Sequence, residues 1–364
     1  MSLMSLAGCK KELFSFLKEG RFRDFCAVVM PDFFLDRLLN LDWNVDEFSN
    51  LIVDVAKRKG GSIDGIIQAD IRGGNAVNTT VALAMLGAKV SPIICTSEYG
   101  LQQIKFHFRN LQVDVSHVKI YDKASITTAL EFKSDYGKVN VMLRDLGALA
   151  DFGAEDLADS DYNLMENADY VCLFNWAGTL KHGTELAQRV FQKAKAKGNC
   201  KTYYDTADPT PKKAAIADLI ENVLKTSQVD ILSLNENEVV TYAALLDRSI
   251  EARKGQLAFA ELALEAARVL AKQFSARIDL HTTAFSASLS RGREVIMPTF
   301  KIQTLRATGA GDAWNAGNIF ADANGLSDGS RLVLANAVSA CYLSDANGKH
   351  PTLGKLSKFI HDSI

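Results

Sequence analysis

The sequence predicts an α/β fold: a central, mostly parallel sheet flanked by helices, with a small β-sheet lid. Three observations carry this expectation. Short apolar, β-rich runs alternate with helical stretches along most of the 364 residues, which is the rhythm of a parallel sheet covered on both faces. Two segments, 60–72 and 118–143, break that rhythm by alternating apolar and polar residues without helical period. Hydrophobic residues make up 48 % and charged residues 23 % of the chain, enough apolar mass for a sizeable core.

Taken in order, FCAVVM (25–30) reads as a buried strand. VNTTVALAMLG (77–87) has helical spacing and stops at Gly87, a residue suited to a helix C-terminus. KVSPIICT (89–96) reads as a strand, followed by a helix around 98–110. ADYVCLFN (168–175), KTYYD (201–205) and VDILSLN (229–235) are strand-like, each after a helical stretch. FAELALEAARVLAKQF (259–274) is amphipathic, and RIDLHTT (277–283) is strand-like again. FKIQTL (300–305) reads as a strand leading into Gly309-Ala310-Gly311, after which residues 312–323 have helical character. The whole chain, 1–364, is expected to form a single domain carrying 60–72 and 118–143 as lid segments, with an edge hairpin of the main sheet as the lesser alternative.

Composition excludes several function classes. Lys plus Arg is 41 against 43 Asp plus Glu, a net charge of −2 with no basic tract, so no nucleic-acid partner is expected. The cysteines at 9, 26, 95, 172, 200 and 341 form no CxxC pair, which argues against zinc or disulfides and for a reducing, cytoplasmic setting. No apolar run approaches the roughly 18 residues of a membrane span. Leu6-Ala7-Gly8-Cys9 has the letters of a lipoprotein cleavage site, yet nothing before it carries positive charge or an apolar core of about 7–15 residues.

LRATGAGDAWNAG (305–317) raises the chemical question. Successive small residues can turn their N–H groups toward one point, and the following helix adds its positive end, so an anion can bind there. Asp312, beside that anion, is placed to accept a proton from a hydroxyl attacking phosphorus. The same letters also read as a helix cap with packing glycines. A dinucleotide fingerprint fails because Trp314 takes the third glycine place, and no Gly-Lys pair continues into the Ser or Thr of a P-loop. Gly325–Gly329 spells GxSxG but follows a helix, so it reads as a turn. In a second cluster, RGGNAVNTTVALAMLG (72–87), Gly73-Gly74 permits close backbone approach, and Asn78 could bind a polyol or merely cap the helix.

Together the two clusters resemble, in content, order and separation, the two signatures of the ribokinase-like (PfkB) carbohydrate kinase family, GGN-x-x-N and D-T-x-G-A-G-D. The resemblance spans nearly the whole chain and implies a ribokinase-like fold, ATP as phosphate donor, Mg²⁺ as cofactor and a sugar or sugar-like acceptor. It implies Asp312 as catalytic base and the stretch of Arg306, Thr308, Gly309, Ala310 and Gly311 as the phosphate cradle. VMPDFFLDRLL (29–39) looks like the family's first strand and acidic sugar contact, which points to Asp36, otherwise a solvated turn acid. Gly74 and Asn78 match further substrate contacts, and Arg144 is a weaker candidate that equally reads as a surface ion pair. Asn235 and Glu238 resemble an N-x-x-E motif that arranges magnesium and phosphates through water, and YYDTADPTPKK (203–213) resembles a strand-end stretch of the family.

Two departures matter. Arg306 and Ala307 replace the first Asp and Thr of the second signature, so a fixed guanidinium stands where several relatives help hold a monovalent cation, and no such cation is expected to be required. Thr283 and Ser286 take glycine positions beside the nucleotide, which reshapes that pocket. The edges of a lid sheet need cover, and the resemblance implies a homodimer. A nucleoside kinase with Trp176 or Phe174 walling the base, or an inactive sugar-binding or regulatory protein, are the alternatives.

Overall fold

The computed structural model describes residues 6–134, 137–305 and 308–363. In chain order the strands are β1 (Cys26–Met30), β2 (Phe34–Asn40), β3 (Ile67–Gly73), β4 (Lys89–Pro92), β5 (Cys95–Ser97), β6 (Lys119–Tyr121) and β7 (Ser125–Ser134). They continue as β8 (Gly137–Asp145), β9 (Tyr170–Phe174), β10 (Lys201–Asp205), β11 (Ile231–Asn235), β12 (Arg277–His281), β13 (Phe285–Ser290) and β14 (Arg293–Pro298).

The main sheet has eight strands in the order β14-β13-β12-β11-β10-β9-β1-β4. Those from β4 to β12 run parallel, while β13 and β14 close one edge as antiparallel strands. Its strands read as continuous apolar runs because both faces are covered, and successive side chains enter different layers. Val28, Met30, Val171, Leu173, Tyr204 and Leu232 pack into one layer. Ala27, Val29, Tyr170, Cys172, Tyr203 and Ile231 pack into the other, against helices that include Ala310–Ala323 and Asp328–Leu343. Near one edge, the fully buried Arg331 donates to Asp279 at 2.9 Å and to Ser288 at 2.7 Å, and Arg277 joins Asp322 at 2.7 Å.

A separate four-stranded sheet, β3-β2-β7-β8, stands apart from the main one. It corrects the expected lid boundaries. Residues 60–66 are irregular and only 67–73 form a strand, while β6, within 118–143, pairs with β5 in a two-stranded sheet. The stretch 29–39 is not one strand: it breaks after Met30, and Phe34–Asn40 joins the small sheet between β3 and β7. Likewise 89–96 splits at Ile93-Ile94 into β4 and β5, which belong to different sheets. Residues 300–304 are irregular, not a strand, because β14 ends at Pro298 and the chain then crosses to pair Leu305 N–H with the Leu343 carbonyl at 2.9 Å. The 77–87 helix begins two residues earlier, at Asn75, and Gly87 follows its end at φ +91°. Cys9 lies buried in the helix Leu6–Glu19 against Gly329, and Ser327 caps Asp328–Leu343, so both decoy motifs have structural roles. Among the described residues, no helix is long and apolar enough to cross a membrane.

Candidate active site

The site begins at Asp32, just beyond β1. Its carboxylate accepts the backbone N–H groups of Asn75 at 2.9 Å and Ala76 at 2.8 Å, and the Asn175 side-chain amide at 2.8 Å. Two otherwise unsatisfied donors at the start of the helix Asn75–Met85 are thereby tied to the ends of β1 and β9. Glycine is required at 74: φ is +99°, and a Cβ there would lie 2.7 Å from the Asp32 carbonyl oxygen. One turn into the helix Asn78 shares a face with Asn75, and both amides reach Asp312. Asn75 Nδ2 donates to Oδ1 at 2.8 Å and Asn78 Nδ2 to Oδ2 at 2.9 Å. Asn78 therefore does not cap its own helix.

Asp312 lies in the first turn of Ala310–Ala323, whose N-cap Gly309 has φ +87°. A Cβ at 309 would sit 2.5 Å from the Tyr342 hydroxyl, which donates to the Thr308 carbonyl at 3.0 Å. The result is a backbone cradle that any side chain would fill, facing the positive end of a helix.

Asp36, Gly74, Asn78, Asn235, Glu238, Thr308, Gly309, Gly311 and Asp312, nine of the residues singled out from sequence, line one cleft of about 280 Å³. Ala310 opens the helix beside it. Arg144 is exposed on β8 with its guanidinium 5.0 Å over the Phe34 ring, and its charge acts on Asp36 from there. Arg306 lies outside the described residues. Trp176 and Phe174 are core residues, Trp176 donating to Thr184 at 3.2 Å, so neither walls the cleft. Thr283 is exposed with its N–H on Glu236 at 2.8 Å, and Ser286 is buried in β13.

Sequence reasoning did not single out Asn75 or His281, which also line the cleft, together with Asp205 and Ala207 of the 203–213 stretch. The first was legible, as it adjoins the glycine pair. His281 was not, since it reaches the cleft from the end of β12, with its ring tilted against that of Trp314 at a centroid distance of 5.0 Å. Burial pushes its pKa down to about 4, so it is neutral, and its Nε2 has no hydrogen-bond partner among the described residues.

Four carboxyl groups share this space, and all are held above their ordinary range. Burial pushes Asp312 up to about 8; the two amides pull it down, and the charges of Asp205 and Asp32 push it further up. Asp36 rises to about 6 for the same leading reason, and a Cβ at Gly73 would lie 2.0 Å from its carboxylate. Glu238, buried and next to Asp205, is raised well above the usual range although Asn235 donates to it through N–H and Nδ2, both at 2.8 Å. Asp205 is raised by burial while accepting Asn315 at 2.7 Å and the Ala207 N–H at 2.9 Å. Among the described residues no three His, Cys, Asp or Glu group as a direct metal site. Crowded acids in low dielectric favour a counter-cation, so the donor set fits a magnesium ion held through water.

The family model described as pfkB family carbohydrate kinase matches residues 68–353. The chain belongs to that family. Comparison with curated protein sequences finds no significant match. Among solved structures, this pfkB-family chain is similar to Arabidopsis thaliana ribokinase complexed with ribose and ATP, at 17 % identity and TM-score 0.69, covering 93 % of this chain and 99 % of that one. It is similar to adenosine kinase from Sinorhizobium meliloti, at 16 % identity and TM-score 0.68, covering 94 % and 100 %. It is also similar to a putative ribokinase II from E. coli in complex with ATP and Mg²⁺, at 14 % identity and TM-score 0.69, with the same coverage. The ribokinase-like fold of the pfkB-family kinases is thus the fold of this chain.

Proposed function

We propose that the protein transfers the γ-phosphoryl group of ATP to a primary hydroxyl of a sugar or sugar-like acceptor. The observation that supports this most directly is Asp312, buried between the amides of Asn75 and Asn78 at the mouth of the Gly309 cradle. The acceptor hydroxyl gives its proton to Asp312 as its oxygen bonds to phosphorus, and the bond to the departing ADP oxygen breaks. Backbone N–H groups at Gly309–Gly311 stabilise charge on the transferred group. Asp36, whose Oδ1 is buried without a hydrogen-bond partner among the described residues, orients acceptor hydroxyls together with Gly74 and Asn78; Arg144 approaches from β8 with a weaker contact. Asn235 and Glu238 would hold Mg²⁺ through water, and that ion supplies charge neutralisation along the phosphates. The four-stranded sheet acts as a lid that excludes water.

The decisive experiment is ADP release from Mg·ATP across sugars, sugar acids, sugar phosphates and nucleosides, with Asp312→Asn beside the native protein. Turnover of one acceptor, reduced roughly 10²–10⁴-fold in the variant, is expected. Ligand-induced thermal shifts without turnover would favour a sugar-binding or regulatory role instead. A nucleoside acceptor would need an aromatic wall other than Trp176 or Phe174.

Arg306 supports independence from monovalent cations, and strong activation by K⁺ over choline would refute that. Exposed Ile126, Val141 and Leu143 on the small sheet, with its open edges β3 and β8, support a homodimer joined there. Free cysteines, four of them buried, support a cytoplasmic location.

A further inference from the structure

A second cavity, of about 460 Å³, adjoins the cleft. Ile71, Arg72, Asn78 and Tyr342 line both, so the two meet across the Asn78 whose amide is 2.9 Å from Asp312. A molecule that reaches from Asp312 past Asn78 would extend into this second space.

Basic side chains outnumber acidic ones around the second cavity. Arg72, His107, Lys349 and His350 bring basic nitrogen to it. Its single carboxylate among the described lining residues, Asp70, is already committed to Arg37 through two hydrogen bonds of 2.6 and 2.9 Å. Lys349 stands on a turn fixed by Asp345, which accepts the N–H of Asn347 at 2.9 Å and that of Lys349 at 3.2 Å, while its other oxygen faces Lys355 at 3.9 Å. The His350 ring is stacked on Tyr342, with centroids 4.5 Å apart and planes 16° from parallel, which holds it where the two cavities meet. Burial, with the charges of Arg72 and Arg109 behind it, pushes the His107 pKa down.

We infer that this cavity binds an anionic substituent of the acceptor, a phosphate or a carboxylate, remote from the hydroxyl that meets Asp312. The inference rests on the kinase reading for the placement of that hydroxyl. Arg72 supplies a planar fork suited to either anion, Lys349 a point charge, and Val81 and Met85 an apolar floor beneath the intervening carbons. The preferred acceptor is therefore a sugar phosphate or a sugar acid, not the neutral sugar.

The test compares each neutral sugar with its terminal phosphate and its terminal carboxylate, in native protein and in Lys349→Met and Arg72→Met. The kcat/KM ratio of charged over neutral acceptor is expected to exceed about tenfold and to fall about tenfold in each variant, chiefly through KM. Whichever of the two derivatives is favoured identifies the anion. A neutral parent as good as both derivatives, or a ratio indifferent to both substitutions, overturns the inference and leaves the kinase reading standing. If no acceptor turns over, calorimetric binding of the same compounds decides. Binding of a charged but not the neutral compound, weakened by Lys349→Met, sustains the cavity's role and removes only the kinase reading, whereas its absence overturns the inference.

Discussion

At the scale of single residues, Asp312 combines two opposed demands. Its pKa rises from 3.8 to about 8 on folding, mainly through burial, so the folded chain keeps a proton that the unfolded chain has lost. Between those values the folded state binds more protons, and stability therefore falls as pH rises. Asp312→Asn removes that term. The Tm of the variant minus that of the native protein is expected to grow from pH 5 to pH 9 in scanning calorimetry, and a difference constant with pH would sink the assignment. Activity is expected to run the other way: under the proposed transfer Asp312 acts as base and must be ionised, so kcat/KM should climb with pH through about 8. A profile flat between pH 6 and 9 would show that the proton leaves by another route.

At the scale of elements, the helix Asn75–Met85 owes its position to one side chain outside it. Asp32→Ala leaves two N–H groups and one amide without their buried acceptor, at about 1–3 kcal/mol for each group left unsatisfied. A lower Tm together with reduced kcat is expected, the second because Asn75 and Asn78 lose their placement on Asp312; an unaltered kcat in a folded variant would separate the two. This link was invisible in the sequence, where Asp32 is one acid among many. The buried strands β1, β9, β10 and β11 were legible to within two residues, because apolar runs need only local pattern. Membership of a sheet was not, since Phe34–Asn40 follows β1 after three residues and yet pairs with β3 and β7. Gly74, Asn78, Gly309 and Asp312 were legible through motif and resemblance, and Asp205 only as part of the 203–213 stretch, while His281 reaches the cleft through tertiary packing.

At the scale of the whole molecule, the buried ion network around Arg331 ties the closing strands to two helices. Arg331→Met leaves Asp279 with one fewer buried partner and Ser288 with none of its arginine contact. A loss of about 3–5 kcal/mol in denaturant unfolding is expected, and a loss below ~1 kcal/mol would mean that Arg277 alone neutralises Asp279. The connection from β3 through Gly74 into the next helix has a reach of its own. Because Asn75 and Asn78 follow directly from β3, the end of that strand and the Asp312 carboxylate are joined through two amide hydrogen bonds. Each donor lowers the carboxyl's hold on its proton, and loss of either would tighten it. Under the proposed transfer, an unloaded site would set the nucleotide against a largely protonated acid, which would curb idle ATP consumption.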